Sequence, residues 1–309
     1  MTHTPCRRAA VTRSAHPVPR RAILRGLLIA PTLAVPACGS AAPDNLDDAV
    51  DRLVDHLDPD GPYRHPTPAE RDHAIAAVDQ LYSATTATTK ATAETFAVLG
   101  MNLTVGSDLP ADRRYALAGS SFDSERSWGL LAVDITDTPP ALLVEVPHPG
   151  SDRETERLGL ALFRELPHAA LLMAGAHRSA AGGAADVAHQ TDSMFHALAT
   201  HLAERGATQL QLHGFHDDSL ANHDIVISAG AGTPDRRIEQ TADTLLDAGF
   251  NLCRAWDQRC GNLEGRTNAQ GRAAAARGYP FLHLEINRST RDDPQRSATL
   301  VHVLATRFH

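Results

Sequence analysis

Polar residues that can bind a metal or move a proton occur where three predicted strands of the chain end. The three pairs of segment and polar residue are Ala141–Val146 with His148, Gln209–Leu212 with His213, and Phe281–Leu284 with Glu285. Open α/β sheets bind ligands outside the carboxyl ends of their strands. We therefore expect these side chains to converge, although they lie far apart in the sequence. Two imidazoles and a carboxylate suit a catalytic zinc ion and its general base.

A catalytic zinc takes three protein ligands and keeps one position open for water. His148 and His213 are the candidate histidine ligands, and the third would come from the loop after His148. Asp152 is the nearest acidic residue there, Glu156 would face back from the start of a helix, and Glu154 ranks third. The same acidic run also fits an ordinary helix start, with an N-cap and a negative first turn.

Glu285 lies inside an apolar segment, where a carboxylate is costly to bury without a partner. This favours a functional role, and the chemistry of zinc hydrolysis supplies one. A carboxylate next to the metal takes a proton from water and passes it to the leaving amine. His213, taken alone, also fits a hydrogen-bonded core histidine.

Four further residues are candidates for binding a substrate: Arg178, His189, Arg266 and Asn268. Arg178 follows the apolar segment Ala169–Ala174 and is expected to reach the site. Arg266 and Asn268 could hold a substrate carboxylate, the arginine through two parallel hydrogen bonds. Two alternatives stay open. Asp186 and His189 also fit a loop cap, and the segment around Arg266 and Asn268 also fits a solvated loop.

The apolar patterning of the chain alternates between strands and helices, which predicts an α/β sheet covered on both faces. The predicted strands are Trp128–Asp134, Ala141–Val146, Ala169–Ala174, Gln209–Leu212, Asp224–Ser228 and Phe281–Ile286. The predicted helices are Leu46–Leu57, Ala69–Leu99, Arg157–Glu165, Asp192–Arg205, Arg236–Ala248 and Ala298–Arg307. The turn residues Thr-Asp-Thr-Pro-Pro predict a hairpin between the first two strands.

The N-terminal residues have the form of a secretion signal, with a basic stretch free of acidic residues followed by the mostly apolar Ile23–Ala37. Arg20-Arg21 resembles the twin-arginine export motif, and Val-Pro-Ala-Cys38 resembles a lipobox. We expect a signal peptide over 1–37, a tether and helical segment over 38–100, and an α/β domain over 101–309. Cys38 would then carry lipid and hold the protein on the outer face of the cell membrane. An ordinary cleaved signal is the alternative.

The composition limits the class of binding partner and suggests a role for each cysteine. The 309 residues carry a formal charge of −8 and only 5% aromatic residues, which argues against nucleic-acid binding. Of the four cysteines, Cys6 falls in the predicted signal and Cys38 is assigned to lipid. Cys253 and Cys260 remain, and outside the cytoplasm such a pair favours a disulfide. Two buried free thiols are the alternative.

Three motifs occur in an order that resembles the N-formylglutamate amidohydrolases: Val-Pro-His148-Pro-Gly, Leu-Gln-Leu-His213-Gly and Leu-His-Leu-Glu285-Ile-Asn-Arg288. They also resemble phage-type poly-γ-glutamate hydrolases and, more distantly, zinc carboxypeptidases and N-acetylmuramoyl-L-alanine amidases. The resemblance covers about half the chain, Ala141–Arg291. It implies a three-layer α/β/α fold with a central mixed sheet and one catalytic zinc. It also implies zinc ligation by His148 and His213, catalysis by Glu285, and a catalytic-site position for Arg288.

The chain departs from these families at two places. Ser151 stands where the glutamate of the carboxypeptidase His-x-x-Glu motif would lie. The tyrosine that often follows the Asn-Arg motif in formylglutamate hydrolases is missing, because Ser289-Thr290-Arg291 follow it here. We expect a lipid-anchored zinc hydrolase of amide or peptide bonds, acting on a small peptide, an acyl-amino acid or cell-wall material. The alternative is a non-catalytic ligand- or metal-binding lipoprotein on the same fold.

Overall fold

A mixed β-sheet of nine strands runs through the part of the chain that the computed structural model describes, residues 45–83, 90–108, 110–122, 124–136 and 140–309. The strands are β1 (Met101–Asp108), β2 (Arg113–Ser120), β3 (Leu130–Asp134), β4 (Leu142–Val146), β5 (Ala169–Met173), β6 (Thr208–Phe215), β7 (Ile225–Ser228), β8 (Leu252–Arg254) and β9 (Phe281–Asn287). Their order across the sheet is β1-β2-β3-β5-β4-β6-β9-β7-β8.

Four parallel strands form the centre of this sheet, in the order β5, β4, β6 and β9. Their carboxyl ends therefore lie at one edge, as the strand-end residues require. The register places Gln211 beside His283 and His213 beside Glu285. Because side chains alternate between faces along a strand, these four residues share one face of the sheet.

Helices cover both faces of the sheet. They are α1 (Leu46–Asp55), α2 (Pro68–Ser83), α3 (Lys90–Val98), α4 (Thr155–Glu165), α5 (Ala180–Gly183), α6 (Met194–Glu204), α7 (Arg236–Asp247), α8 (Ala269–Arg277), α9 (Arg288–Asp292) and α10 (Pro294–Phe308). Helices α1, α4, α7 and α10 pack on one face, and α2, α3, α6 and α8 lie on the other. The predicted α/β/α architecture with a mixed central sheet is confirmed.

Strand β4 shows why the sequence of a central strand is almost entirely apolar. All five of its residues are buried. Val144 and Val146 belong to the hydrophobic cluster beneath α4 and α10, whereas Leu143 belongs to the cluster on the opposite face. A parallel strand buried on both faces has this pattern. The one polar residue in it is Glu145, which is fully buried.

The predicted hairpin between the first two strands is wrong. Strand β5 lies between β3 and β4, pairing antiparallel with β3 and parallel with β4. The other side of β4 pairs with β6. Strand β4 is therefore buried in the centre of the sheet between two parallel neighbours, β5 and β6.

In the segment before the sheet, where one long helix was predicted, the described residues form the helices α2 and α3. Ala74 and Val78 of α2 and Phe96 of α3 are in the same buried cluster as Leu131 of β3. Leu53 of α1 packs into the cluster on the other face. These helices therefore cover the sheet.

The predicted bond between Cys253 and Cys260 is present and links β8 to the loop that precedes α8. The predicted signal peptide, Cys6 and the predicted lipidation site Cys38 lie outside the described residues. Among the residues that the structure describes, no helix combines the length and apolar character needed to cross a membrane.

Candidate metal centre

Three buried side chains of ligand type meet at the carboxyl ends of β4 and β6. Asp152 Oδ2 lies 3.3 Å from His148 Nδ1 and 3.2 Å from His213 Nδ1. The two imidazole rings are 4.9 Å apart between centroids. All three residues are buried, with 1%, 7% and 5% of His148, Asp152 and His213 exposed. The structure thus brings together the two predicted histidines and the first of the three acidic alternatives.

A tight turn after β4 places Asp152 beside His148. The Asp152 backbone N–H donates to the His148 carbonyl at 2.9 Å, which closes the turn. Gly150 within it has a φ of +70°, and a Cβ there would lie 2.7 Å from the Leu57 side chain. Glycine adopts this left-handed backbone without strain and leaves room for the Leu57 side chain. The turn brings the carboxylate back over the histidine that ends the strand.

The outer nitrogens of both histidines face oxygen acceptors. His148 Nε2 lies 2.8 Å from Asp186 Oδ1, and His213 Nε2 lies 2.8 Å from Gln211 Oε1. The orientation of the Gln211 amide is fixed, because Asn268 Nδ2 donates to the same oxygen at 2.6 Å. A neutral histidine has one N–H, so that of His213 points at Gln211. Its other nitrogen, Nδ1, then presents a lone pair to Asp152.

Two acceptors therefore face each other across 3.2 Å, the lone pair of His213 Nδ1 and the carboxylate of Asp152. Burial lowers the pKa of His213, which keeps its ring neutral. Burial opposes ionisation of Asp152, but the two histidine rings beside it outweigh that cost and hold its pKa well below the usual range. A cation at the common point of these groups would satisfy them all. The ligand atoms of the three residues lie within 4.8 Å of one another, so together they could hold a metal ion.

Glu285 lies on the adjacent strand β9 at the edge of this cluster. One carboxylate oxygen lies within 4.8 Å of a ring nitrogen of His213 and of His283. Burial, and then the negative charge of Asp152, raise the pKa of Glu285 well above its ordinary value. His283 is buried behind it, and His283 Nδ1 has no hydrogen-bond partner among the described residues. A carboxylate beside a metal site with a raised pKa is suited to accept and return a proton.

Arg178 and His189 lie on the open side of the cluster, both linked to Asp186. Arg178 Nη2 donates to Asp186 Oδ2 at 2.8 Å, and His189 Nδ1 lies 3.2 Å from Asp186 Oδ1. Arg178 Nη1 also donates to His148 Nδ1 at 3.3 Å, which places a guanidinium at the metal position's edge. Both side chains are partly exposed, at 37% and 48%. They therefore form the solvent-exposed edge of the hydrogen-bond network around Asp186.

Neither a family model nor a curated protein sequence matches the chain. Solved structures with low similarity to it include a gene product of Agrobacterium tumefaciens, which is 13% identical over 58% of this chain and 91% of that one, with a TM-score of 0.41. A candidate metallopeptidase of Shewanella denitrificans is 15% identical over 81% and 96%, with a TM-score of 0.38. An aspartoacylase family protein of Mesorhizobium loti is 12% identical over 66% and 70%, also at 0.38. Values this low carry no function across, so the chemistry must follow from the chain's own residues.

The other two acidic alternatives lie apart from the ligand cluster. The Glu156 carboxylate accepts hydrogen bonds from the backbone N–H groups of Gly150 and Glu154, at 3.4 and 3.0 Å, and so braces the turn. The Glu154 side chain lines a groove of about 760 Å³ beside α4 and α10. Neither joins the group of ligand atoms around Asp152.

Two other predicted residues also point elsewhere. Arg288 lines the same groove and forms a two-pronged ion pair with Asp292, with Nε to Oδ2 and Nη2 to Oδ1 both at 2.6 Å. Arg266 is 60% exposed, pairs with Glu264, and donates to the Ala255 carbonyl at 3.1 Å. Their predicted roles, in catalysis and in substrate binding, have no contact with the cluster to support them.

Asn268 lies behind the cluster, whereas the sequence placed it among substrate-binding residues. Its Oδ1 caps α8 by accepting from Gly271, and its Nδ2 holds Gln211. Gln211 Nε2 donates to Glu145 Oε2 at 2.7 Å, and burial raises the pKa of Glu145 to about 8. Sequence reasoning missed Gln211 and Glu145. The alternation of Gln209, Gln211 and His213 in one strand was the available signal, since it puts three polar side chains on one buried face.

Asp186 should strengthen metal binding through His148, because a hydrogen bond to the outer nitrogen fixes the ring and raises its basicity as a ligand. We expect Asp186→Asn to weaken zinc affinity by about 10- to 100-fold, the range typical of such partners. Competition with a chromogenic chelator measures this directly. Asp79→Asn is the matched control, because Asp79 Oδ1 also binds a histidine nitrogen, His201 Nε2 at 2.9 Å, away from the cluster. Equal affinities in the two variants would contradict the role of Asp186.

Proposed function

We propose that this chain is a zinc-dependent hydrolase of amide or peptide bonds. The observation that carries the proposal is the convergence of His148 Nδ1, His213 Nδ1 and Asp152 Oδ2, with separations of 3.3 and 3.2 Å along Asp152. The N–H of His213 is committed to Gln211, so a cation best satisfies this arrangement. Two imidazoles and one carboxylate form a ligand set that zinc uses in catalytic sites.

Each residue around that position has a distinct task. Zinc held there would lower the pKa of a water molecule and polarise the substrate carbonyl. Glu285 takes a proton from the attacking water and delivers it to the departing nitrogen. Arg178 donates hydrogen bonds to the carbonyl oxygen as its negative charge grows. Asp186 holds both Arg178 and His148, which fixes the donor relative to a ligand.

The substrate class in this proposal comes from the sequence resemblance described above, which favours acyl-amino acids, γ-glutamyl peptides and cell-wall peptides. The test is the metal content of the purified mature chain, followed by assay on a panel of these compounds. About one zinc per chain is expected, with hydrolysis that a chelator abolishes and added zinc restores. A chain that takes up no zinc when refolded with the metal would refute the proposal.

We also propose that the enzyme acts outside the cell, anchored by lipid on Cys38. The support is the twin arginine and lipobox in the sequence. Cells expressing the full chain with a labelled fatty acid should incorporate label, and Cys38→Ser should abolish it. Label that persists in Cys38→Ser would contradict the anchor and leave the zinc chemistry unaffected.

A further inference from the structure

Arg291 is a buried arginine whose hydrogen bonds reach three separate segments of the chain. It lies in the short helix α9 and is 7% exposed. Its guanidinium donates to four backbone carbonyls: Ile286 at 3.0 Å, Asp152 at 2.9 Å, Phe215 at 3.1 Å, and Arg153. These carbonyls belong to β9, to the turn after β4, and to the end of β6.

Each of those segments carries a residue of the proposed site. The Asp152 carbonyl belongs to the ligand itself, the Ile286 carbonyl follows Glu285 directly, and the Phe215 carbonyl lies two residues after His213. One guanidinium thus contacts the main chain beside a metal ligand on each of two segments and beside the general base on the third. None of the other hydrogen bonds named at the ends of β4, β6 and β9 connects all three segments.

The packing around Arg291 is close. A Cβ at Gly214 would lie 2.5 Å from the guanidinium carbon, so glycine is required there for the arginine to reach the end of β6. Burial lowers the pKa of Arg291, yet a guanidinium remains charged in proteins. Burying a charge is costly unless its donors are satisfied, and here backbone carbonyls satisfy them. Hydrogen bonds from a charged donor are stronger than neutral ones.

We propose that Arg291 is the positioning residue that fixes Asp152, His213 and Glu285 relative to one another. The functional meaning of this inference rests on the proposed metal site. The hydrogen bonds by which Arg291 connects the three segments do not depend on a metal. The planar fork of a guanidinium reaches several carbonyls at once, which a lysine ammonium cannot do in the same geometry. Arg291→Lys should therefore behave more like Arg291→Met than like the wild type.

The experiment compares Arg291→Met with Arg113→Met. Arg113 is also a largely buried arginine that donates to backbone carbonyls, those of Phe163, Arg164 and Leu166 at the far end of α4. Both variants lose hydrogen bonds to main-chain carbonyls, and Arg113→Met also loses the ion pair with Asp134, so both lower the melting temperature. Only Arg291→Met should weaken zinc affinity, by about 10- to 100-fold as for outer partners of metal ligands. Only Arg291→Met should speed amide hydrogen exchange at 150–156, 214–217 and 286–288 in the metal-free protein.

The outcomes separate the two proposals. Wild-type zinc affinity in folded Arg291→Met, or equal losses in Arg291→Met and Arg113→Met, would overturn the positioning role. Should Arg291→Met fail to fold, the same two measurements on Arg291→Lys decide the matter. If the wild type binds no zinc, the proposed function fails. The amide exchange rates alone then test whether Arg291 holds the three segments together. Unchanged exchange in these segments of Arg291→Met refutes that role.

Discussion

Replacing Asp152 by asparagine should weaken zinc binding by at least about 100-fold, beyond the range seen for outer partners of metal ligands. Asp152 Oδ2 lies 3.3 and 3.2 Å from the two histidine nitrogens, so it contributes both a donor atom and the negative charge of the cluster. Asparagine keeps the size of the side chain but removes the charge. Its amide can also rotate an N–H group toward the histidine lone pairs. Zinc affinity is measured by chelator competition near pH 7.

Glu156→Gln is the control for this prediction. Glu156 comes from the same acidic run and is buried, yet its carboxylate is engaged by two backbone N–H groups of the turn. We expect the variant to lose some thermal stability and to keep zinc affinity close to that of the wild type. The reverse pattern, with zinc lost in Glu156→Gln and kept in Asp152→Asn, would make Glu156 the third ligand.

The convergence of the site was predictable from the sequence because it follows from a general property of parallel sheets. His148, His213 and Glu285 each lie at or near the carboxyl end of a central strand. Buried apolar residues identified each of these strands, and the polar residues at its carboxyl end marked where it stops. The placement of the strands β5, β4, β6 and β9 side by side then brings the ends together.

The third ligand could not be chosen from the sequence because it depends on the backbone dihedral angles of a few residues in the turn after β4. The turn after β4 has a left-handed residue at Gly150 and another at Glu154, with a φ of 71°. These directions turn Asp152 toward the histidines and Glu156 back onto the turn. Asparagine, aspartate and glycine favour the left-handed conformation, whereas a glutamate such as Glu154 does not indicate it in the sequence.

Other features lacked a local signal. Strand β1 lies at the sheet edge and alternates only weakly between buried and exposed positions, so its sequence resembles a loop. The partners that orient the metal ligands come from distant parts of the chain. Asp186 lies in a loop 38 residues after His148, and Asn268 lies 57 residues after Gln211. Arg291 appeared only as the last residue of the region covered by the resemblance, because its role depends on carbonyls that carry no sequence signature.

Glu285→Gln should reduce kcat/KM for amide hydrolysis by about 100- to 10,000-fold, the contribution typical of a general acid or base. Glutamine has nearly the same shape but cannot accept a proton from water or return one to the leaving nitrogen. Zinc affinity should stay within a few-fold of the wild type, since His148, Asp152 and His213 are unchanged. Activity of the wild type should fall as the pH drops through the pKa of Glu285, because the protonated carboxyl is no longer a base.

Glu154→Gln is the control, because this acidic residue lies in the groove beside α4 and α10. It should retain full activity and full zinc binding. The two variants together also separate the enzyme from a binding protein built on the same fold. If wild type, Glu285→Gln and Glu154→Gln all bind zinc equally and none hydrolyses the panel of amides, the buried cluster serves to hold metal. A large loss confined to Glu285→Gln assigns proton transfer to this carboxylate, because removing one proton acceptor then stops turnover while the three ligands still hold the ion.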